Sequence, residues 1–376
     1  MSSSMKVLVL ATFYPSENGK EAHRFIHVRN LFYQEHGIDV TVLCFGTKED
    51  YVYENIRVIS LKTYQKEKEE FDLLISHQAN IRNHYFFLKK YSKKFPYIVF
   101  FFHGHEVLRF SKTYPKPYVY VKRSKLKVFA RDIYDCFKLF IWRKYIPRLI
   151  NKSTLVFVSK WMLEEFLKST KLSMNDINGH YEITYNGVGK AFQENVFDYN
   201  SVKKYDFVTI RSNLDGSKYC IDIVNKLAQN NAEYTFLVIG KGDFFKYNSK
   251  SENVIWYDRT MNHDEIIDAL QQARCSLMPT RTDAQGLMMC EMATFGMPVI
   301  TSDLPVCHEA LDGFMNVAMI SNDIFDVDLG EICKKLESGI PYVKNEKYFS
   351  ENTSAHEVEI FKSIIEKSNC AKRETI

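Results

Sequence analysis

Residues Pro279 to Glu309 read PTRTDAQGLMMCEMATFGMPVITSDLPVCHE, and this stretch decides the fold. Just before it, Cys275 to Pro279 is an apolar run the length of a buried strand. A loop carrying Asp283 follows, and Gly286 and Leu287 open a helix that runs to Phe295. Gly296 and Pro298 close that helix, as a glycine just past the end and a following proline do. Val299 to Ser302 is the next strand. Strand, loop, helix, strand is a βαβ unit, which implies a parallel sheet. Open parallel sheets bind ligands at the loops beyond their strands' C-terminal ends. A helix N-terminus there offers unpaired N–H groups to a phosphate. Glu291 stands on the second turn among Met288, Met289, Cys290, Met292 and Ala293. A lone carboxylate in such company is costly without a partner, and a ribose hydroxyl pair would be one; the alternative is a surface helix residue.

The same alternation extends outward in both directions. Lys6–Thr12, Asp39–Phe45, Asn55–Leu61, Phe71–Ser76 and Tyr97–Phe102 read as strands of one sheet. Arg24–His36 reads as a helix with Phe25, Val28, Leu31 and Phe32 on its apolar face, closed by Gly37. The pattern restarts with strands at Tyr205–Ile210, Tyr234–Ile239 and Asn253–Tyr257 and helices at Ile221–Gln229 and Asp264–Ala273. Two successive doubly wound units are expected, 1–187 and 188–353, with a last amphipathic helix from Ser354 packing back on the first as 354–376.

Composition bounds the function. The chain has 376 residues, 45% hydrophobic and 26% charged, and 50 Lys/Arg against 46 Asp/Glu leave a net charge of +4. These are ordinary globular values that exclude disorder, collagen and a polybasic nucleic-acid binder. No run approaches the roughly 20 apolar residues of a membrane span. The N-terminal MSSSMKVLVLATFYP reads as a first strand rather than a signal peptide. The 8 Cys form no CxxC and no close pairs, which reads as reduced thiols in a cytoplasmic protein with no metal site. Lys112 to Lys152 holds twelve Lys/Arg and two Asp, interleaved with Phe129, Tyr134, Phe137, Phe140, Ile141, Trp142 and Tyr145. That mixture reads as an anionic membrane surface contact through 112–152. Single-stranded nucleic acid uses the same ingredients, and an ordinary helix with a solvated basic face is the plain alternative; no nucleic-acid partner is expected.

An acidic residue, Gly-Leu, Glu-Met-Ala and Gly-Met-Pro-Val-Ile, in this order, resemble the retaining GT-B glycosyltransferases of family 4, the group 1 type. Their signature has two Glu separated by seven residues. Glu291 matches the second, and Asp283, one methylene shorter, stands at the first. The resemblance covers nearly the whole chain. Arg211 and Lys218 resemble the family's basic pair after the first strand of the second domain, with Ile210 where a Gly is usual. Gly240-Lys241-Gly242 resembles the family's glycine turn beside the nucleotide; position 245 is Phe, so it is no dinucleotide fingerprint. Tyr185-Asn186-Gly187-Val188 resembles the turn leading into the second domain. His103-Gly104-His105-Glu106 resembles the motif after the first domain's central strand, where Asp is commoner than Glu106. Asn18-Gly19 occupies the place of a glycine-pair loop and keeps one Gly.

What the resemblance implies is a GT-B fold: two facing Rossmann-like domains, acceptor-binding first and donor-binding second, with the active site in the cleft. A hexose-type sugar would pass with retention from a nucleotide-sugar donor, a UDP-sugar first and a GDP- or dTDP-sugar next, to a hydroxyl of a lipid-linked glycan acceptor. No metal or other cofactor is implied, and the leaving phosphate itself helps deprotonate the acceptor. Arg211 and Lys218 would stabilise the diphosphate, since fixed cations lower the energy of charge developing in a transition state. Asp283 would hold donor-sugar hydroxyls, and His103 would sit at the reacting sugar or serve as a structural strand-end His. Glu291, Gly286, Leu287, Gly240, Gly242 and Gly19 would bind the donor, and Glu106 the acceptor. The setting implied is surface-polysaccharide assembly on the inner face of a cell membrane. An inactive partner subunit and a nucleotide-sugar epimerase stay open as other readings.

Overall fold

The described strands form two sheets, and every pairing between them but one is parallel. The computed structural model describes residues 4–17, 23–339 and 342–373, with side chains through residue 366. The first sheet holds β1 (Lys6–Ala11), β2 (Asp39–Cys44), β3 (Tyr51–Tyr53), β4 (Ile56–Ile59), β5 (Leu73–His77), β6 (Tyr97–Phe102), β7 (Ser153–Phe157) and β8 (Tyr181–Ile183). Their order is β3-β4-β2-β1-β5-β6-β7-β8. The second holds β9 (Tyr205–Asn213), β10 (Phe236–Lys241), β11 (Val254–Tyr257), β12 (Ala273–Met278), β13 (Val299–Ser302) and β14 (Val317–Ile320), in the order β11-β10-β9-β12-β13-β14. Among the described strands, β3 alone runs antiparallel, to β4. Glu54 and Asn55 between them both have positive φ, the two-residue turn that matches strand twist.

The sequence reading missed β3, β7, β8 and β14. Three of these are edge strands or their neighbours, short and only partly covered, so their apolar signal is weak. The fourth, β7, follows the long basic helix after a single 3₁₀ turn, Ile150–Lys152, with no loop to announce it. Strand β9 runs three residues past the expected Ile210, so Arg211 lies within the strand rather than after it.

Two compact units result: residues 1–109, 131–187 and 350–376, and residues 110–130 and 188–349. The sequence-based boundaries place 110–130 with the first unit. The chain there packs with the second because Tyr118 and Tyr120 donate hydrogen bonds to Asp222 and Asp215 at 2.8 and 2.7 Å.

The first helix, Arg24–Glu35, departs from its expected face. It buries Ile26, His27, Arg29, Asn30, Phe32 and Tyr33, while Phe25, Val28 and Leu31 are only half-buried. A polar network draws the helix in on that side. The Arg29 Nε donates to both carboxylate oxygens of Glu357 at 3.0 and 3.1 Å, and its Nη1 donates to Asn186 Oδ1 at 2.9 Å. Thr184 and Tyr33 donate to the same carboxylate. Glu357 belongs to the last helix, Ser354–Arg373, whose Val358, Phe361 and Ile364 join the core around Val7, Val9 and Ile26. The Asn186-Gly187 turn is thus anchored by Arg29.

Removing one member of a buried ion pair leaves the other charge stranded, at about 3–5 kcal/mol. Glu357→Ala is therefore expected to lower the urea stability of the first unit by that amount. A loss under about 1 kcal/mol would mean that the apolar contacts alone dock the last helix.

Candidate functional site

At the C-terminal ends of the second sheet's strands, Asp283 lies close enough to Arg211 to act on its charge, and Lys218 shares the Tyr219 ring with Arg211. Arg211 sits near the end of β9 and is 8% exposed. Its Nη2 donates to the Pro279 carbonyl at 2.7 Å, and its buried Nε has no hydrogen-bond partner. Burial pulls the guanidinium pKa down, and the Asp283 carboxylate opposes that. Lys218 rides on a single 3₁₀ turn, Ser217–Tyr219. The Tyr219 ring lies against both cations, 5.2 Å from the Arg211 Cζ and 4.6 Å from the Lys218 Nζ. Asp283 Oδ1 accepts the N–H of Ala284 at 2.8 Å.

The loops that carry these groups are stapled to one another. The Lys218 carbonyl accepts the Arg281 N–H at 2.9 Å, and the Arg281 side chain donates to the Ser217 carbonyl at 2.7 Å. The glycines have local reasons. A Cβ on Gly240 would stand 2.0 Å from the Arg211 carbonyl, and one on Gly242 would stand 3.1 Å from Asp215 Oδ2. The turn therefore lies flat against β9 beside Arg211, and only glycine permits it. Gly286, at φ 73 and ψ 57, is the left-handed residue before the helix Leu287–Phe295. It offers no side-chain cap, and its carbonyl accepts the N–H groups of Met289 and Cys290 at 3.0 and 3.2 Å.

Glu291 is 4% exposed, and its carboxylate accepts the N–H of Gly189. Burial raises its pKa to about 8, with the Gly189 N–H opposing. The expected partner for this buried acid is thus partly supplied by the chain itself.

In the first unit, His103 follows β6 and meets a second histidine that the sequence reading did not single out. His77 Nδ1 and His103 Nε2 are 3.1 Å apart, so one ring donates and the other accepts. His77 stacks on Phe101 at 4.5 Å, and Phe25 lies 4.6 Å from His103. Burial first, then the nearby cations, hold both pKa values well below the usual histidine value. The sequence reading ended strand β5 at Ser76, one residue short of His77, which the structure places as its last residue.

Glu106 turns back on its own loop. Its carboxylate accepts the His103 N–H, while Oε2 is buried without a hydrogen-bond partner. Burial raises its pKa, against the loop N–H groups and Lys138. Lys138 is the surprise of the basic segment: it is buried and donates to Asp135, the His105 carbonyl and the Leu108 carbonyl at 2.7–2.9 Å. The other Asp of the segment, Asp132, pairs with Arg109. The i, i+3 spacing of Asp135 and Lys138 was the available signal. Glu106, His105, Lys138, Arg131, Asn80 and Tyr134 line a cavity of about 540 Å³ that lies wholly within this unit. His103 does not line it. Gly19 lies outside the described residues, and among the described residues no cluster of His, Cys, Asp and Glu has the form of a metal site.

Glu291 makes stability depend on pH. Its folded pKa is above its unfolded value, so the folded chain keeps a proton that the unfolded chain loses. Stability falls between about pH 4.5 and pH 8, by at most about 1.4 kcal/mol per unit. Glu291→Gln is expected to flatten that slope in urea denaturation at pH 5 and pH 8. An unchanged slope would mean that Glu291 ionises normally.

Residues 207–329, inside the second unit, match the family described as Glycosyl transferases group 1. The chain is similar in structure to a glycosyltransferase from Rickettsia africae, with TM-score 0.66 and 10% identity over 96% of this chain and 99% of that one. It is similar to WaaG, a glycosyltransferase involved in lipopolysaccharide biosynthesis, with TM-score 0.63 and 14% identity over 95% and 99%. It is also similar to the catalytic domain of starch synthase IV from Arabidopsis thaliana bound to ADP and acarbose, with TM-score 0.59 and 9% identity over 97% and 100%. No curated protein sequence matches it. The chain has the GT-B fold of two Rossmann-like units, and residues 207–329 of its second unit are similar to glycosyl transferases group 1.

Proposed function

We propose that this protein is a retaining glycosyltransferase that moves a hexose from a nucleotide-diphosphate donor to a hydroxyl of a lipid-linked glycan in surface-polysaccharide assembly. The observation that carries the reading is Arg211: a buried cation with an uncommitted Nε, beside Lys218 and Asp283, at the ligand-binding edge of a parallel sheet. A buried guanidinium without a full set of acceptors is costly, and a diphosphate supplies both the charge and the acceptor oxygens. The match over 207–329 supports the donor-binding role of the same unit.

In this reading Arg211 and Lys218 bind the diphosphate and stabilise the charge that builds on it as the sugar leaves. Asp283, held near Arg211, takes donor-sugar hydroxyls. Glu291 takes the ribose, whose hydroxyls donate to the carboxylate and favour its ionised form. A leaving phosphate oxygen accepts the acceptor's proton, so no protein base is needed and no metal is invoked. The first unit takes the acceptor, with Glu106 Oε2 facing its hydroxyls and His103 at the reacting sugar, held by His77.

A lipid-linked acceptor is reached from a membrane surface, and the helix Lys125–Leu149 has the form for that. Leu126, Phe129, Ile133, Phe137 and Phe140 recur every three or four residues along one face and are each more than half exposed. Lys125, Lys127, Arg143 and Lys144 are exposed with them. None of the described helices is long and apolar enough to cross a membrane, and this one matches a helix lying in the interface of an anionic bilayer.

Calorimetry with UDP, GDP, dTDP and ADP, followed by release of the bound nucleotide from its sugar conjugates, tests the donor. One nucleoside diphosphate is expected to bind, and Arg211→Ala is expected to reduce turnover by at least about 100-fold, the scale for a lost oxyanion donor. Wild-type turnover in that variant would remove the reading.

The membrane contact is tested separately. The protein is expected to sediment with phosphatidylglycerol vesicles and not with phosphatidylcholine vesicles, less so as salt rises. Phe137→Ser with Phe140→Ser should lose the binding. Equal binding to both vesicles would refute the electrostatic contact.

A further inference from the structure

We propose that the strap Tyr114–Tyr120 is part of the donor site, and that Tyr118 positions Lys218 through Asp222 and Arg281. This rests on the reading of Lys218 as a diphosphate ligand.

The strap reads YPKPYVY. Pro115 and Pro117 restrict the backbone before Tyr118, so less conformational freedom is lost when the strap docks. The chain turns at Val119–Tyr120, where the Val121 N–H donates to the Tyr118 carbonyl at 3.0 Å. The turn brings the Tyr118 and Tyr120 rings together, stacked with centroids 5.8 Å apart, while Val119 between them is fully exposed. Both rings pack on the second unit: Tyr118 lies 5.0 Å from Phe244, and Tyr120 stacks on Tyr247 at 4.8 Å.

Each hydroxyl ends on a carboxylate that fixes a donor loop. Tyr118 donates to Asp222 Oδ1 at 2.8 Å. Asp222 accepts both Arg281 Nη groups at 3.0 and 2.6 Å, and Arg281 holds the Ser217 and Lys218 carbonyls. Tyr120 donates to Asp215 Oδ1, whose carboxylate accepts the Asp243 N–H and packs beside Gly242. Tyr114 completes the arrangement, with its ring 6.0 Å from the Lys218 Nζ. One strap therefore grips both the lysine turn and the glycine turn. Lys218 itself is partly exposed on a single 3₁₀ turn. Such a turn, alone, leaves a long side chain free, and a prealigned cation binds a phosphate at lower entropic cost.

The test uses the full-length protein and calorimetry with UDP, GDP, dTDP and ADP and their monophosphates. Tyr118→Phe keeps the ring packing and removes only the hydroxyl. For the nucleoside diphosphate that binds wild type, Tyr118→Phe should weaken binding about tenfold. Its ratio of diphosphate to monophosphate affinity should shift in the same direction as in Lys218→Ala. The double variant should bind no more weakly than Lys218→Ala alone, because both changes act through one group. Asp222→Asn is a second variant, expected to match Tyr118→Phe. Wild-type affinity in Tyr118→Phe and Asp222→Asn would overturn the proposal, as would equal weakening of mono- and diphosphate or full additivity with Lys218→Ala. Failure of Lys218→Ala itself to weaken the diphosphate overturns instead the reading of Lys218, and with it the role of the strap.

Discussion

Parallel strands can be joined only by a chain that crosses back over the sheet, so every loop after a strand emerges at the same edge. This constraint organises both units. In the second it brings the ends of β9, β10 and β12 side by side, and with them Arg211, the Gly240–Gly242 turn and the loop of Asp283. Residues 211 and 283 are far apart in sequence and interact because β9 and β12 are neighbours. In the first unit the same rule sets His77 at the end of β5 beside His103 just past β6.

Burial of charge is the second theme, and it is resolved differently at each place. Arg29 and Glu357 are fully buried and fully satisfied, by each other and by Thr184, Tyr33 and Asn186. Such a network specifies one way of docking the last helix, because any other leaves charges unpaired. Lys138 is likewise saturated by Asp135 and two carbonyls. Arg211, Glu106 and Glu291 are buried with less compensation. Arg211 Nε and Glu106 Oε2 have no hydrogen-bond partner, and burial dominates the pKa shifts of all three. Buried polar groups with this little compensation are concentrated at functional sites.

The first helix shows how such networks mislead a hydrophobic reading. The periodicity of Phe25, Val28, Leu31 and Phe32 is a real helical signal. The helix nevertheless turns a different side inward, where Arg29 meets Glu357 and Asn186 and Asn30 donates to Tyr14. Nothing local marks Arg29 as an interior residue, since its partner lies 328 positions away.

The sequence by itself determined the alternation of strands and helices, the two doubly wound units and the segment that resembles a donor site. These follow from local regularities: continuous apolar runs, helical spacing, Gly296 and Pro298 closing one helix, and glycines where a side chain does not fit. The positions of Arg211, Lys218 and Asp283 at or just beyond strand ends were legible from the motifs around them. Tertiary structure alone decided the partners. It paired His77 with His103, buried Lys138 out of a run that read as basic surface, and assigned residues 110–130 to the second unit through Tyr118 and Tyr120. The physical reason is the same in each case: a hydrogen bond between distant residues leaves no periodic trace in the chain. It exists only once the sheets have set the distances.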